Sequence, residues 1–391
     1  MREIFLKSKK EEAVKRKHPW IFSGAIQHLK EPIEDGTLVS VKDYKGNFLA
    51  IGHWQNGSIA VRIIAHEETT IDQDFWNNKF KTAFALRQKL GFENNETTNC
   101  FRLIHAEGDG LPGLIVDVYG KTAVIQCHSI GMYNNLPQIS KAIENVLGDR
   151  VDTIYNKSKE TLPGRFGQQA DDTWIKGNQP EGLVKENGNI FKVNWETGQK
   201  TGFFLDQRDN RKLLADFSKD KEVLNAFCYS GGFSVYALKA GASRVDSVDV
   251  SQKAVDLATE NVALNGDFSD RHQSICADVL KYLKDCPEYD TMIVDPPAFA
   301  KSLSKKHNAV QGYKRLNAMA LQKVKPGGIM FTFSCSQVID RPLFYNTIVA
   351  AAIESGRDVR VLAHLSQPAD HLVSLFHPEG SYLKGLVLEV L

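Results

Sequence analysis

The sequence predicts a chain in three parts: a small β-barrel, a central α+β unit and a C-terminal α/β domain on a mostly parallel sheet. Three observations predict it. Short apolar runs broken by glycine turns fill the first seventy residues, a hairpin and a helix follow, and strand-like and helix-like stretches alternate after residue 190. The boundaries are placed at 1–72, 73–185 and 186–391.

In the first part, Thr37–Val41, Phe48–Gly52 and Ile59–Ile63 are separated by Gly36, Asp43-Tyr44-Lys45-Gly46-Asn47 and Asn56-Gly57, the spacing of a small barrel. Residues 72–90 read as a helix, with Phe75, Trp76, Phe80, Phe84 and Leu90 on one face. Leu114–Tyr119 and Thr122–Gln126 flank Gly120-Lys121, a two-residue hairpin signal; a helix over 135–147 and a strand over 151–156 complete the central unit. Residues 158–189, rich in Gly, Pro, Asn and Lys, read as loop and boundary. Beyond them the apolar runs 222–227, 244–250, 290–294 and 328–333 alternate with helical stretches, as βαβ units require.

Composition excludes several classes. Lys plus Arg number 48 against 47 Asp plus Glu, a net charge of +1, so any polyanion must meet a local patch and not a basic coat. With 42% hydrophobic residues the chain builds a packed core. No apolar run approaches the ~18 residues of a membrane span, and Met1–Leu6 lacks the features of a secretory signal, so a soluble cytoplasmic protein is expected. The six cysteines form no Cys-x-x-Cys, and neither His-Glu-x-x-His nor zinc-finger spacing occurs; no metal is expected.

The stretch Glu222–Ser234 reads as strand, glycine turn and helix, and glycines there let a ligand approach the backbone at the carboxyl end of a strand. Twenty residues on, Asp249 ends the next strand, where a ribose hydroxyl pair is gripped. Dinucleotides and S-adenosylmethionine compete for such a site. The full Gly-x-Gly-x-x-Gly fingerprint, which serves a pyrophosphate, is missing. S-adenosylmethionine carries no phosphate and needs no anion cradle. Further on, Tyr289–Val294 runs into Asp295-Pro296-Pro297-Ala298-Phe299-Ala300-Lys301-Ser302. The two prolines stop the strand and hold the Asp295 carboxylate at the mouth of the sheet.

This Asp-Pro-Pro after a fourth strand resembles the substrate motif of class I S-adenosylmethionine-dependent methyltransferases acting on planar nitrogen heterocycles. With Gly202-Phe203-Phe204-Leu205-Asp206-Gln207-Arg208-Asp209-Asn210-Arg211 upstream, the longer string resembles the bacterial large-subunit rRNA methyltransferases that make 5-methylcytidine. His18-Pro19-Trp20-Ile21-Phe22-Ser23-Gly24-Ala25-Ile26 is the best N-terminal match. The resemblance implies a PUA-like RNA-binding barrel, a central α+β domain, and a Rossmann-like class I methyltransferase domain. It also implies S-adenosylmethionine as cofactor and large-subunit rRNA as partner, with no membrane; a homodimer is carried as the oligomeric alternative.

Carbon 5 of a pyrimidine is a poor nucleophile, and its methylation demands a thiolate that adds to carbon 6. Cys335, in Ser334-Cys335-Ser336-Gln337 after Ile329–Phe333, holds the nucleophile's position in the resembled family, and Asp295 is expected to grip the cytosine ring nitrogen and exocyclic amine. Cys228, in the glycine turn, is read as a bystander. Many enzymes of this chemistry carry a second cysteine in the Asp-Pro motif; here Pro297 and Ala298 stand there. The rival is methylation of a base nitrogen, in which an aromatic after Asp-Pro-Pro stacks on the base, although Ala298 displaces Phe299 by one position. A third reading is an RNA-binding or assembly protein without catalysis.

The donor pocket is expected to hold Asn225, Phe227, Tyr229, Ser230 and Gly231 in the turn, then Asp249, Asn265, Asp278 and Asp295. Asp206 and Gln207 are carried over from the family's lid-side wall, and Asp206 is also read as the cap of the helix beginning at Gln207. For RNA, Lys301, Lys305, Lys306, Lys314 and Arg315 form a basic stretch without an acid beside Asp-Pro-Pro, and Lys15 and Arg16 belong to a basic N-terminal cluster.

Overall fold

The computed structural model describes residues 1–178, 180–300 and 302–391. Two compact units divide the chain: Met1–Val184 with Val193–Leu205 and Ala369–Gly380, and Lys185–Lys192 with Asp206–Pro368 and Ser381–Leu391. Val193–Leu205 and Ala369–Gly380, which the sequence reading places in the C-terminal domain, therefore belong to the first unit.

In that first unit, strands β1 (Arg2–Phe5), β2 (Trp20–Phe22), β3 (Leu38–Lys42), β4 (Phe48–Trp54) and β5 (Ile59–Ala65) form a five-stranded sheet of order β1-β3-β4-β5-β2. Alternation drives it: β3 turns Val39 and Val41 fully inward, against Ile4 and Val61. The helix Gln73–Lys89 starts at Asp72, whose side chain accepts from Phe75 N, and buries Trp76, Phe80 and Phe84. Leu90 falls just past the helix and is 37% exposed, so it does not share that face.

A second sheet, order β10-β9-β8-β7-β6, comprises β6 (Cys100–His105), β7 (Leu114–Tyr119), β8 (Thr122–Cys127), β9 (Thr153–Asn156) and β10 (Thr173–Lys176). Tyr119 pairs with Thr122 across Gly120-Lys121, as the hairpin signal predicts. One core joins this sheet to the helix and to Ile51 and Ile64 of the first sheet. Residues 369–380 are tied in by Asp370, whose carboxylate accepts from Arg102 N at 2.9 Å and whose carbonyl accepts from Arg87 Nη2 at 2.9 Å.

The hairpin β11 (Leu183–Glu186) and β12 (Asn189–Lys192) lies at the boundary in the chain. The second unit is a seven-stranded sheet of β13 (Glu222–Ala226), β14 (Arg244–Asp249), β15 (His272–Cys276), β16 (Tyr289–Val294), β17 (Val324–Ser334), β18 (Val359–Leu365) and β19 (Lys384–Val390). Its order is β15-β14-β13-β16-β17-β19-β18; the first five are mutually parallel and β19 is antiparallel to both neighbours. β17 starts earlier than the apolar run 328–333 predicts, because a register shift opposite Tyr289 and Thr291 absorbs Pro326-Gly327-Gly328.

Strand order reverses between β13 and β16, and in open parallel sheets a ligand crevice opens outside the carboxyl ends at such a point. Those ends are Ala226, Val294 and Ser334 on neighbouring strands β13, β16 and β17. Among the described residues no helix is long and apolar enough to cross a membrane.

Candidate active site

The turn after β13 is built from unusual backbone. Phe227, Tyr229 and Gly231 have φ of 60°, 44° and 72°. For the two aromatic residues this left-handed geometry costs on the order of 1 kcal/mol or more each and persists only where its surroundings fix it. They do: Tyr229 N donates to Asp249 Oδ2 at 3.1 Å, Asn261 Nδ2 donates to Ser230 O at 2.8 Å, and Gly231 N donates to Cys228 O. A Cβ on Gly231 would come 2.9 Å from Ala258 Cβ, so glycine is required by space as well as by φ. The sequence shows the glycine and not the two left-handed aromatics.

Asp249 ends β14 and stays partly exposed, with Oδ1 also accepting from Ser251 N at 2.9 Å. Asp278, two residues past β15, is exposed and caps the helix Val279–Asp285 by accepting from Lys281 N. Two expected pocket residues are spent elsewhere. Asn225 is 1% exposed and donates to Ser234 Oγ at 2.8 Å, inside the layer below β13. Asn265 donates to Ile190 O and accepts from Ile190 N, so its amide clamps β12.

Asp295 follows β16, where the prolines end the strand. The residue keeps some accessible surface, but its carboxyl is densely surrounded. Burial first, then the charge of Asp206, raises its pKa to about 7, against the pull of a hydrogen bond from Gln207. Gln207 Nε2 donates to Asp295 Oδ2 at 2.9 Å, and Asn210 Nδ2 holds Gln207 Oε1 at 2.6 Å. Asp206 does not cap the helix Arg208–Ala215, whose N-cap is Gln207 without a side-chain bond. Instead Asp206 Oδ2 accepts from the Tyr382 hydroxyl at 2.7 Å, while its buried Oδ1 has no hydrogen-bond partner among the described residues.

Cys335 follows the last residue of β17 and is partly exposed. Ser336 Oγ donates to Ala300 O at 2.8 Å, which ties the cysteine loop to the segment after Asp295, and the Tyr313 hydroxyl senses the charges of both Cys335 and Asp295. Lys384, which sequence reasoning missed, completes the group. It opens β19 opposite Ser334, is 3% exposed, and donates to Ser336 O at 2.7 Å and Tyr382 O at 2.6 Å. Burial lowers its pKa to about 8, and the Cys335 thiolate opposes that fall. The available signal was a lone lysine heading the apolar run Gly385–Val390. By contrast, burial and the Asp249 charge push the Cys228 thiol far up, so it stays protonated.

Phe299 leans on Tyr313 with ring centroids 4.6 Å apart, above Gly312, where a Cβ would come 3.0 Å from the ring. Among the basic residues, Lys305 and Arg315 are exposed and Lys306 is partly so; Lys314 pairs with Glu354 at 2.7 Å, and Lys301 lies outside the described residues. At the N-terminus Arg16 is exposed and Lys15 is offset by Glu12 and Glu11.

The donor set on this edge is Asp206, Asp249, Asp278 and Asp295. Such a set repels a pyrophosphate and suits a nucleoside ligand bearing ammonium and sulfonium charges, with the orphaned Asp206 Oδ1 as a ready acceptor.

A family profile for S-adenosylmethionine-dependent methyltransferases matches residues 133–367, and one for PUA-like domains matches 4–66. A ribosomal RNA large subunit methyltransferase I of Alteromonas mediterranea is 39% identical over 99% of this chain and 98% of its own. The protein of that name from Aeromonas hydrophila is 38% identical over 98% of each. A solved chain complexed with SAH and described as a candidate methyltransferase superposes over 100% of both chains with TM-score 0.86 at 23% identity, a likeness of fold.

Because Asp295 is raised above its unfolded value, ionisation penalises the folded state. The penalty is absent below about pH 4, grows by roughly 1.4 kcal/mol per pH unit to pH 7, and is level above. Asp295→Asn is therefore expected to stabilise the protein at pH 8 by up to roughly 4 kcal/mol, and by about 2 kcal/mol less at pH 5.5. Denaturant midpoints at the two pH values check this; a variant equally stable to the parent at pH 8 would contradict the buried carboxyl.

Proposed function

The chain belongs to the S-adenosylmethionine-dependent methyltransferase family, and we propose that it methylates carbon 5 of a cytosine in large-subunit ribosomal RNA. The observation that carries this reading is Cys335 just past β17, the strand paired with the one that leads into Asp295, with the buried Lys384 ammonium beside it. The names of the curated relatives supply the RNA class.

S-adenosylmethionine, when bound, supplies an electrophilic methyl group on a sulfonium. The turn 227–231, Asp249, Asp278 and Asp206 hold it. A free thiol is only a few per cent ionised at pH 7, so the nucleophile needs help. Lys384 is cationic below about pH 8 and favours the Cys335 thiolate as much as the thiolate favours it. The thiolate adds to carbon 6 of the cytosine and a carbon–sulfur bond forms. Negative charge flows toward ring nitrogen 3, where Asp295, near half-protonated at neutrality, donates a proton while its other oxygen accepts from the exocyclic amine. Carbon 5, now enamine-like, takes the methyl group. Loss of the carbon 5 proton then expels the thiolate and restores the double bond, and ring nitrogen 3 returns its proton to Asp295. With Pro297 and Ala298 where many enzymes of this chemistry carry a second thiol, a different base accepts the carbon 5 proton.

The base must leave its stack to reach these groups, which costs least in single-stranded RNA. Lys305, Lys306 and Arg315 are exposed or partly so on the segment following Asp295, which supports their meeting phosphates; Lys314 and Lys15 are already paired.

Incubating unmethylated rRNA with labelled S-adenosylmethionine and analysing the nucleosides by mass spectrometry tests the reading. Label is expected in 5-methylcytidine; label in a methylated guanosine or adenosine would overturn it. Cys335→Ala is expected to abolish transfer while donor binding, measured by calorimetry, survives. Lys384→Met should move the rising limb of the pH–rate profile upward, each unit lowering the rate at neutral pH about tenfold. An unmoved profile would remove Lys384 from thiolate stabilisation. Neutralising Lys305 and Lys306 together is expected to raise KM for RNA but not for the donor. It should also flatten the log–log salt dependence by roughly 1.4. Unchanged RNA binding would exclude these two residues from the interface.

A further inference from the structure

We propose a zinc site in the first unit, formed by His18, His377 and Glu379. It is independent of the methyl-transfer reading. His18 stands 359 positions before His377 and 361 before Glu379, which is why motif spacing predicts no metal, yet one potential ligand atom from each of the three lies within 4.8 Å of the others.

The second observation is His377 itself. It is 3% exposed, and neither ring nitrogen has a hydrogen-bond partner among the described residues. A buried imidazole with both nitrogens unused is rare, because each was hydrated before folding. Trp20 closes over it with ring centroids 4.3 Å apart, and Trp20 is held in turn by its indole donating to Glu107 Oε1 at 2.9 Å. Water is therefore a poor substitute partner on that side. On the open side, His377 Nε2 faces Glu379 Oε2 at 3.8 Å, too far for a hydrogen bond. Glu379 is itself exposed.

His18 supplies the third donor. Its Nδ1 lies 3.0 Å from Trp20 O and 3.1 Å from Trp20 N. One nitrogen cannot serve both at once. In the tautomer with a proton on Nδ1, that nitrogen donates to the Trp20 carbonyl and leaves Nε2 with a lone pair. A metal-ligating histidine takes this arrangement, its second nitrogen anchored on a backbone carbonyl. Ligand atoms around tetrahedral zinc sit about 3.4 Å apart, from bonds of about 2.0–2.1 Å, so only a small contraction is required. Two imidazoles and a carboxylate are a borderline donor set that suits zinc, with a water in the fourth position. The ion would fasten residues 369–380, the last stretch of chain to join the first unit, to the segment that leads into β2 of its first sheet.

The test uses the full chain, stripped with chelator and dialysed, and zinc ion alone as probe, titrated in competition with a chromophoric chelator. One zinc per chain is expected, with a dissociation constant in the micromolar range or tighter. His18→Ala, His377→Gln and Glu379→Gln should each weaken binding at least tenfold, while Cys276→Ser, which removes an exposed thiol, leaves it unchanged. Glu379→Gln changes a surface side chain only, so it keeps the test valid if a histidine variant folds poorly. Cobalt in place of zinc is expected to give the visible spectrum of tetrahedral nitrogen and oxygen ligation. Absence of stoichiometric binding, binding indifferent to Glu379→Gln and His377→Gln, or binding lost in Cys276→Ser would each overturn the site.

Discussion

Ionising Asp295 where it stands is opposed by its packing and by a second carboxylate, and most of the active edge answers that conflict. Gln207 gives its amide to Asp295 and is itself held by Asn210. Asp206, the charge that worsens the conflict, is steadied by the Tyr382 hydroxyl on one oxygen and left open on the other. Arg211 supplies some of the opposing positive charge, and a cationic ligand would add to it. A dinucleotide would add negative charge to this edge, whereas a sulfonium-bearing donor relieves the conflict. The absent pyrophosphate fingerprint and the acidic donor set are therefore two expressions of one preference.

The direction of β19 matters as much as its place. Parallel strands all end at the ligand edge, so they bring residues there only from their carboxyl termini. An antiparallel strand begins at that edge. β19 thus delivers Lys384 from its first position, opposite Ser334, and Tyr382 from just before it. A thiol from the end of β17 and an ammonium from the start of β19 become neighbours without any insertion in the loops. The lysine is satisfied by two carbonyls, which makes its burial tolerable and fixes its charge near the cysteine.

How much of this the residues announce depends on distance along the chain. β13, β14 and β16 were legible within a residue, because each is an apolar run closed by glycine or proline, and Asp249, Asp295 and Cys335 follow directly from strand ends. The capping role given to Asp206 fails because capping is a local rule, and the hydrogen-bond partner of its Oδ2 lies 176 residues away. The clamp that Asn265 makes on β12 was not legible, because a helix-end asparagine looks alike whether it faces a ligand or holds a neighbouring strand. The short β1 hides in Arg2-Glu3-Ile4-Phe5, half of it charged. Lys384 and His377 share a further difficulty: a buried polar residue in an apolar or loop stretch becomes informative only when its surroundings are seen.

The choice between carbon and nitrogen as acceptor turns on where the aromatic and the thiol are spent. Nitrogen methylation after Asp-Pro-Pro needs a ring to stack on the base and has no use for a thiolate. Here Phe299 is committed to Tyr313 and to the face of the helix Lys306–Leu321 above Gly312. Cys335 meanwhile stays partly exposed, in a loop tied by Ser336 to Ala300 and attended by a buried cation. Burying an ammonium is costly unless a partner recovers the loss, and two carbonyls alone could serve any donor. A lysine held charged beside a thiol is explicable as the means of keeping that thiol ionised. The nitrogen reading leaves both the lysine and the accessible cysteine without a task, and the carbon reading uses each.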